Sequence, residues 1–96
     1  MLRFEWDKRK AQENRRKHGV SFQEAETVFY DDYALFADDP DHSSDEERFV
    51  IMGLSSSLRT LVVCHCYRSD DDVIRIITAR RAGSEEQNDY QRRRVR

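Results

Sequence analysis

A histidine, a pair of adjacent arginines and a tyrosine are the groups in this chain best suited to act on a phosphate. The stretch IRIITARRA, Ile74 to Ala82, has the pattern of a β-strand that runs into Arg80 and Arg81 and then into a capped helix with Tyr90 and an arginine-rich tail. A stiff strand that delivers guanidinium groups to a sheet surface, with a phenol nearby, suits binding and polarising phosphate. The plainer reading is a strand that ends in solvated charge. His65 sits between Cys64 and Cys66 on another strand pattern. Alternation puts both sulfurs on one face and the imidazole on the other. A tetrahedral metal site needs ligands converging from separated segments, and no second cysteine pair exists. The two cysteines therefore read as reduced packing residues, and neither a metal nor a cofactor is expected.

The elements that must position these groups follow from local signals. Leu2 to Trp6 forms a short strand with Phe4 and Trp6 on one face. Asp7 caps a helix over residues 8–18, closed by Gly19. Ser21 and Glu24 form a capping box, with Val20 and Ala25 placed as a hydrophobic staple; Phe22, Ala25, Val28 and Phe29 make the buried stripe of the second helix. A strand around Tyr33 to Ala37 leads into the acidic loop DDPDHSSDEE. Strands Arg48–Leu54, Arg59–Tyr67 and Val73–Arg80 follow, joined by connections short enough for antiparallel hairpins. Ser84 and Gln87 then open a last helix over residues 85–94, whose main apolar group is Tyr90. The pattern predicts an α+β fold over one domain, residues 1–96: an antiparallel sheet packed with two N-terminal helices and a C-terminal helix.

Composition narrows the class further. At 96 residues there is room for a single modest core. The first ten residues alternate apolar and charged side chains, unlike a signal peptide, and the longest apolar run is far too short to cross a membrane. A cytoplasmic location without membrane contact is expected. The net charge of −2 hides an uneven distribution. Residues 1–18 and 75–96 each hold seven basic against three acidic groups, whereas residues 19–74 hold three basic and thirteen acidic. If the two ends meet in space, they form a basic surface suited to nucleic-acid phosphates or an acidic partner.

Several blocks together resemble the BrnT family of toxins: FEWD at 4–7, KHGVSFQEA at 17–25, VF at 28–29, ERF at 47–49, and IRIITARRA at 74–82 followed by the helix with Tyr90. The resemblance implies a RelE-like fold and a ribonuclease toxin of a type II toxin–antitoxin system that halts translation. It implies a BrnA-like antitoxin with a ribbon-helix-helix domain as partner, and contact with operator DNA only through the toxin–antitoxin complex.

The implied chemistry can be set against the residues. Metal-free RNA cleavage uses the ribose 2′-hydroxyl as nucleophile; it needs a base, cationic donors for charge building on phosphate oxygens, and an acid for the departing 5′-oxygen. His65 is the expected base or acid. Arg80 and Arg81 are the expected phosphate clamps, Tyr90 a donor or stacking group, and Lys17 and Arg75 further RNA contacts. His65 could equally be a structural histidine, and Tyr90 the anchor of its helix. On a regular strand Arg80 and Arg81 point to opposite faces, and Arg75 shares the Arg81 face unless a bulge intervenes. Convergence of His65, one of the two arginines and Tyr90 around one phosphate-sized space would favour the enzyme. Scatter would favour a non-catalytic antitoxin-binding module acting in operon repression.

Overall fold

The computed structural model describes residues 2–39, 47–68 and 72–95; most of the acidic loop expected after the second strand lies outside them. Five strands form one sheet in the order β1-β5-β4-β3-β2: β1 (Arg3–Glu5), β2 (Leu35–Asp38), β3 (Phe49–Leu54), β4 (Thr60–Arg68) and β5 (Val73–Arg81). The helices are α1 (Lys8–His18), α2 (Phe22–Thr27), which continues into a short 3-10 turn at Val28–Tyr30, and α3 (Ser84–Arg94). The α+β class holds. The sheet, however, is mixed and not purely antiparallel: β1 pairs in parallel with β5, Phe4 opposite Ile74. Hairpin logic reaches only strands joined by short loops. The place of β1 is set instead by burial, with Phe4 meeting Phe29 edge-on at 5.3 Å and Trp6 meeting Phe22 at 5.9 Å.

One face of the sheet carries the core. Phe22, Ala25 and Val28 from the α2 segment pack with Val20 on Ile51, Leu61, Val63, Ile76 and Ala79, most of them wholly buried. Each large apolar side chain removed from water there contributes about 1.5–3 kcal/mol. The Ser21 hydroxyl accepts from the Glu24 N–H at 3.0 Å, which starts α2 as expected. Gly53, opposite Leu61, allows the chain to pass close to its neighbours, for a Cβ there would come within 3.0 Å of both Val28 Cγ1 and Asp31 Oδ2.

Helix α1 has almost no apolar face, so hydrophobic burial alone does not hold it. The Asp7 carboxylate caps it by accepting from the Arg9 and Lys10 N–H groups at 2.8 and 3.1 Å, and Gly19 closes it at φ 70°. Its one buried residue is Asn14. The Asn14 amide donates to Val20 O at 3.0 Å and Ala79 O at 2.8 Å, while its oxygen accepts from the Ala79 N–H at 3.0 Å. β1 pairs only as far as Arg75, so at Ala79 the Asn14 side chain takes the part of the missing neighbouring strand.

A bulge in β5 decides which side chains face which way. His65 lies opposite Ile76 and Cys64 opposite Thr78, so Ile77 is an extra residue on β5. Before the bulge Ile74 and Ile76 face the core; after it Ala79 does. Arg75, Thr78 and Arg80 therefore share the opposite, open face, and Arg81 falls on the helix-covered side. The pairing of Arg75 with Arg81 expected for a regular strand is corrected by this one inserted residue.

Candidate active site on the open sheet face

The open face is built from alternate residues of the central strands. Val50 on β3, Val62 and Cys64 on β4, and Ile77 and Thr78 on β5 line a pocket of about 390 Å³. Arg48, Arg80, Asp39 and Glu86 complete its lining. Two guanidinium groups thus border one half-buried, partly apolar pocket, where charge interactions are screened less than in bulk water. The Nε atom of Arg48 is buried without a hydrogen-bond partner among the described residues. Arg80 is held by Glu86 through two parallel bonds, Nη1–Oε1 and Nη2–Oε2, both 2.9 Å. That fork geometry is the one a phosphate would occupy.

Glu86 belongs to the first turn of α3, and its Oε1 also accepts from the Gly83 N–H at 2.8 Å. The Arg80 guanidinium, joined by this backbone donor, pulls the Glu86 carboxyl down to about 2. The helix start lies one residue earlier than the Ser84–Gln87 pattern predicts: Gly83 is the N-cap and Glu86 the third residue. Gln87 instead donates to Ala82 O at 3.0 Å.

Cys64 and Cys66 are buried thiols, outside any disulfide, on the open-face side, with His65 turned the other way as alternation requires. Cys64 donates to Asp39 Oδ2 at 3.2 Å, and burial together with that carboxylate pushes its thiol up to about 12. A thiol so disposed is a poor nucleophile at neutral pH.

His65 stands in the core, 0% exposed, among Phe29, Phe49 and Tyr67. Its Nδ1 lies 3.2 Å from Val63 O, which only accepts, so Nδ1 carries the proton; the buried Nε2 has no partner among the described residues. Burial lowers its pKa. In this arrangement its ring lies on the core side of the sheet, on the opposite face from the pocket with Arg48 and Arg80. Tyr90 is also wholly buried. Its hydroxyl donates to Asp31 Oδ2, which also accepts from the Leu54 N–H at 2.7 Å. Burial and the Asp31 carboxylate raise the phenol to about 12, so its role in the fold is that of an anchor for α3.

The remaining expected residues are dispersed. Arg75 lies on the open face but pairs with Glu5 at 2.7 Å. Arg81 is exposed on the helix side, near Glu24. Lys17 is exposed in the last turn of α1. Convergence of His65, an arginine and Tyr90 on one phosphate-sized space is therefore not seen. Arg48 and Glu86 were missed by sequence reasoning. Arg48 had only ERF as a signal, while Glu86 was hidden by a capping pattern displaced by one residue.

A profile described as the ribonuclease toxin BrnT of type II toxin–antitoxin systems matches residues 6–86. The chain belongs to the BrnT toxin family. BrnT proteins are ribonuclease toxins of type II toxin–antitoxin systems. The crystal structure of the Brucella abortus ribonuclease toxin BrnT superposes with a TM-score of 0.66 at 21% identity, covering 88% of this chain and 100% of that one. At that identity the likeness establishes the shared fold. No curated protein sequence matches the chain. No helix among the described residues is long and apolar enough to cross a membrane.

Proposed function

We propose that this BrnT chain is a metal-independent endoribonuclease that stops translation in the cytoplasm, and that the scissile phosphate binds in the open-face pocket. The carrying observation is the pair of guanidinium groups, Arg48 and Arg80, on one pocket, with Glu86 already holding the Arg80 fork in the manner of an oxyanion. The ribose 2′-hydroxyl gives its proton to water as it attacks the phosphorus, the P–O bond to the 5′-oxygen breaks as water returns a proton to that oxygen, and the guanidinium groups hold the charge that builds on the non-bridging oxygens. Removing one such preorganised donor typically costs about 10²–10³ in rate. The basic line continues on the same face through Arg75. His65 and Tyr90 act by holding the sheet and α3 in place.

The partner in this reading is a BrnA-like antitoxin with a ribbon-helix-helix domain, through which the complex reaches operator DNA. Carboxylates of such a partner would compete for the same arginines. The dispersal of His65 and Tyr90 favours a second reading, a non-catalytic antitoxin-binding module acting in operon repression.

The purified protein, incubated with RNA and excess EDTA, separates the two readings. The nuclease leaves fragments ending in a 2′,3′-cyclic phosphate and spares a linkage whose 2′-hydroxyl has been replaced by hydrogen. Dependence on added metal, or cleavage at the deoxy linkage, would overturn the proposed chemistry. Absence of any cleavage by well-folded protein would select the binding module.

A further inference from the structure

The bulge residues Ile77 and Thr78 wall two clefts at once. On one side lies the pocket with Arg48 and Arg80. On the other a narrower cleft of about 230 Å³ runs between β5 and α1, lined by Lys10, Glu13, Lys17 and His18 around Asn14. Lys10, Asn14 and Lys17 recur at four and three residues and so share one helix face. The bonds from Asn14 to both backbone groups of Ala79 hold that face against the strand.

Among the described residues, no ion pair fixes the two lysines of this cleft. Arg59, Arg75, Arg80 and Arg92 each pair with a carboxylate. Lys10 and Lys17 have no such partner among the described residues. The helix dipole accounts for Lys17 and His18 in the last turn of α1, but it disfavours Lys10 in the first turn, which contains no acidic residue. The Lys10 charge helps to lower the pKa of the nearby Asp7 carboxylate, yet no ion pair ties its ammonium group down among the described residues, which leaves it able to turn to an external anion. Glu13 leaves the cleft with a surplus of positive charge.

We propose that the α1–β5 cleft is a second phosphate subsite, continuous with the Arg48–Arg80 pocket across Ile77 and Thr78, so that single-stranded RNA is gripped at phosphates on both sides of the bulge. The inference rests on the reading of the open face as the RNA site and extends it to a strand of several nucleotides. Lys10 and Lys17 neutralise the backbone, and the exposed His18 ring offers a surface on which a base can stack.

The test is a fluorescence-anisotropy titration of a labelled, uncleavable 2′-O-methyl octanucleotide across a salt series. It compares the parent with Lys10→Ala/Lys17→Ala, with Arg80→Ala, and with Arg15→Ala/Arg16→Ala as a control that removes equal charge from exposed α1 positions outside the cleft lining. Both lysines are exposed, so their loss leaves the fold intact. The lysine variant is expected to bind about tenfold more weakly and to lower the salt slope by about 1.4, while the control changes far less. A lysine variant no weaker than the control overturns the subsite; continued sensitivity to Arg80→Ala would then show that the open-face reading survives. Indifference to all three variants overturns both. Unchanged RNA binding with lost antitoxin binding would make the cleft a protein-docking site and also overturn the proposal.

Discussion

Arg80 and Arg81 are adjacent in sequence but serve different faces of the sheet, Arg80 in the open-face pocket with Glu86 and Arg81 on the helix side. Single residues of this chain take their roles from such placement more than from their type. His65 has the side chain expected of an acid–base catalyst, yet it packs against Phe29 at 4.8 Å with Nε2 unsatisfied among the described residues. Burial lowers its pKa from an ordinary 6.5, so the unfolded chain binds the proton first as pH falls. The folded state is therefore unpenalised above about 6.5 and loses stability as pH drops below it, down to the folded-state pKa. His65→Phe should flatten the pH dependence of the melting temperature just below 6.5, without removing the acid sensitivity contributed by Glu86, Glu24 and Asp31 below about 4.5. Thermal melts of parent and variant from neutral pH downward check this; an unchanged slope below 6.5 would show that the ring is not buried neutral.

At the scale of elements, much was legible because the signals are local. Asp7, Gly19 and Ser21 mark helix ends by side-chain and backbone chemistry confined to a few residues, and they act as expected. The strands β3, β4 and β5 were legible from hairpin spacing and alternation. What could not be read depends on partners distant in sequence: the parallel pairing of β1, the bulge at Ile77, and the Asn14 clamp spanning 65 positions to Ala79. A lone asparagine in a polar helix gives no outward sign that it completes a sheet edge. Asn14→Ala removes three hydrogen bonds and leaves the Ala79 groups unsatisfied at a buried edge. It should destabilise the protein by about 2–4 kcal/mol, measured by urea unfolding. A loss within about 0.5 kcal/mol, the range of ordinary surface substitutions, would mean that water or β1 replaces the clamp.

Over the whole molecule, the two basic ends of the chain meet only in part. The residues of α1 flank β5 near the open face, whereas the tail turns toward the opposite sheet edge: Arg93 donates to Tyr33 O at 3.0 Å and Arg94 lies over the Tyr33 ring. This distribution places the open-face pocket and the α1 cleft on the β5 side and leaves the tail arginines near β2. The charge asymmetry was readable in the sequence, but its division between two edges required the topology. The site itself was legible at Arg80, where a strand pattern visibly ends in guanidinium groups, and illegible at Glu86 and Arg48, which become neighbours only after the sheet and α3 assemble.

The claim that the open face cleaves RNA turns on which of two adjacent arginines does the work. The decisive measurement is the rate of RNA cleavage in excess EDTA by purified Arg80→Ala and Arg81→Ala, each first verified as folded by its thermal melt. The account predicts that Arg80→Ala loses about 10²-fold or more while Arg81→Ala retains the parental rate. Loss of activity in Arg81→Ala with an active Arg80→Ala would place the chemistry on the helix side of the sheet and contradict the account.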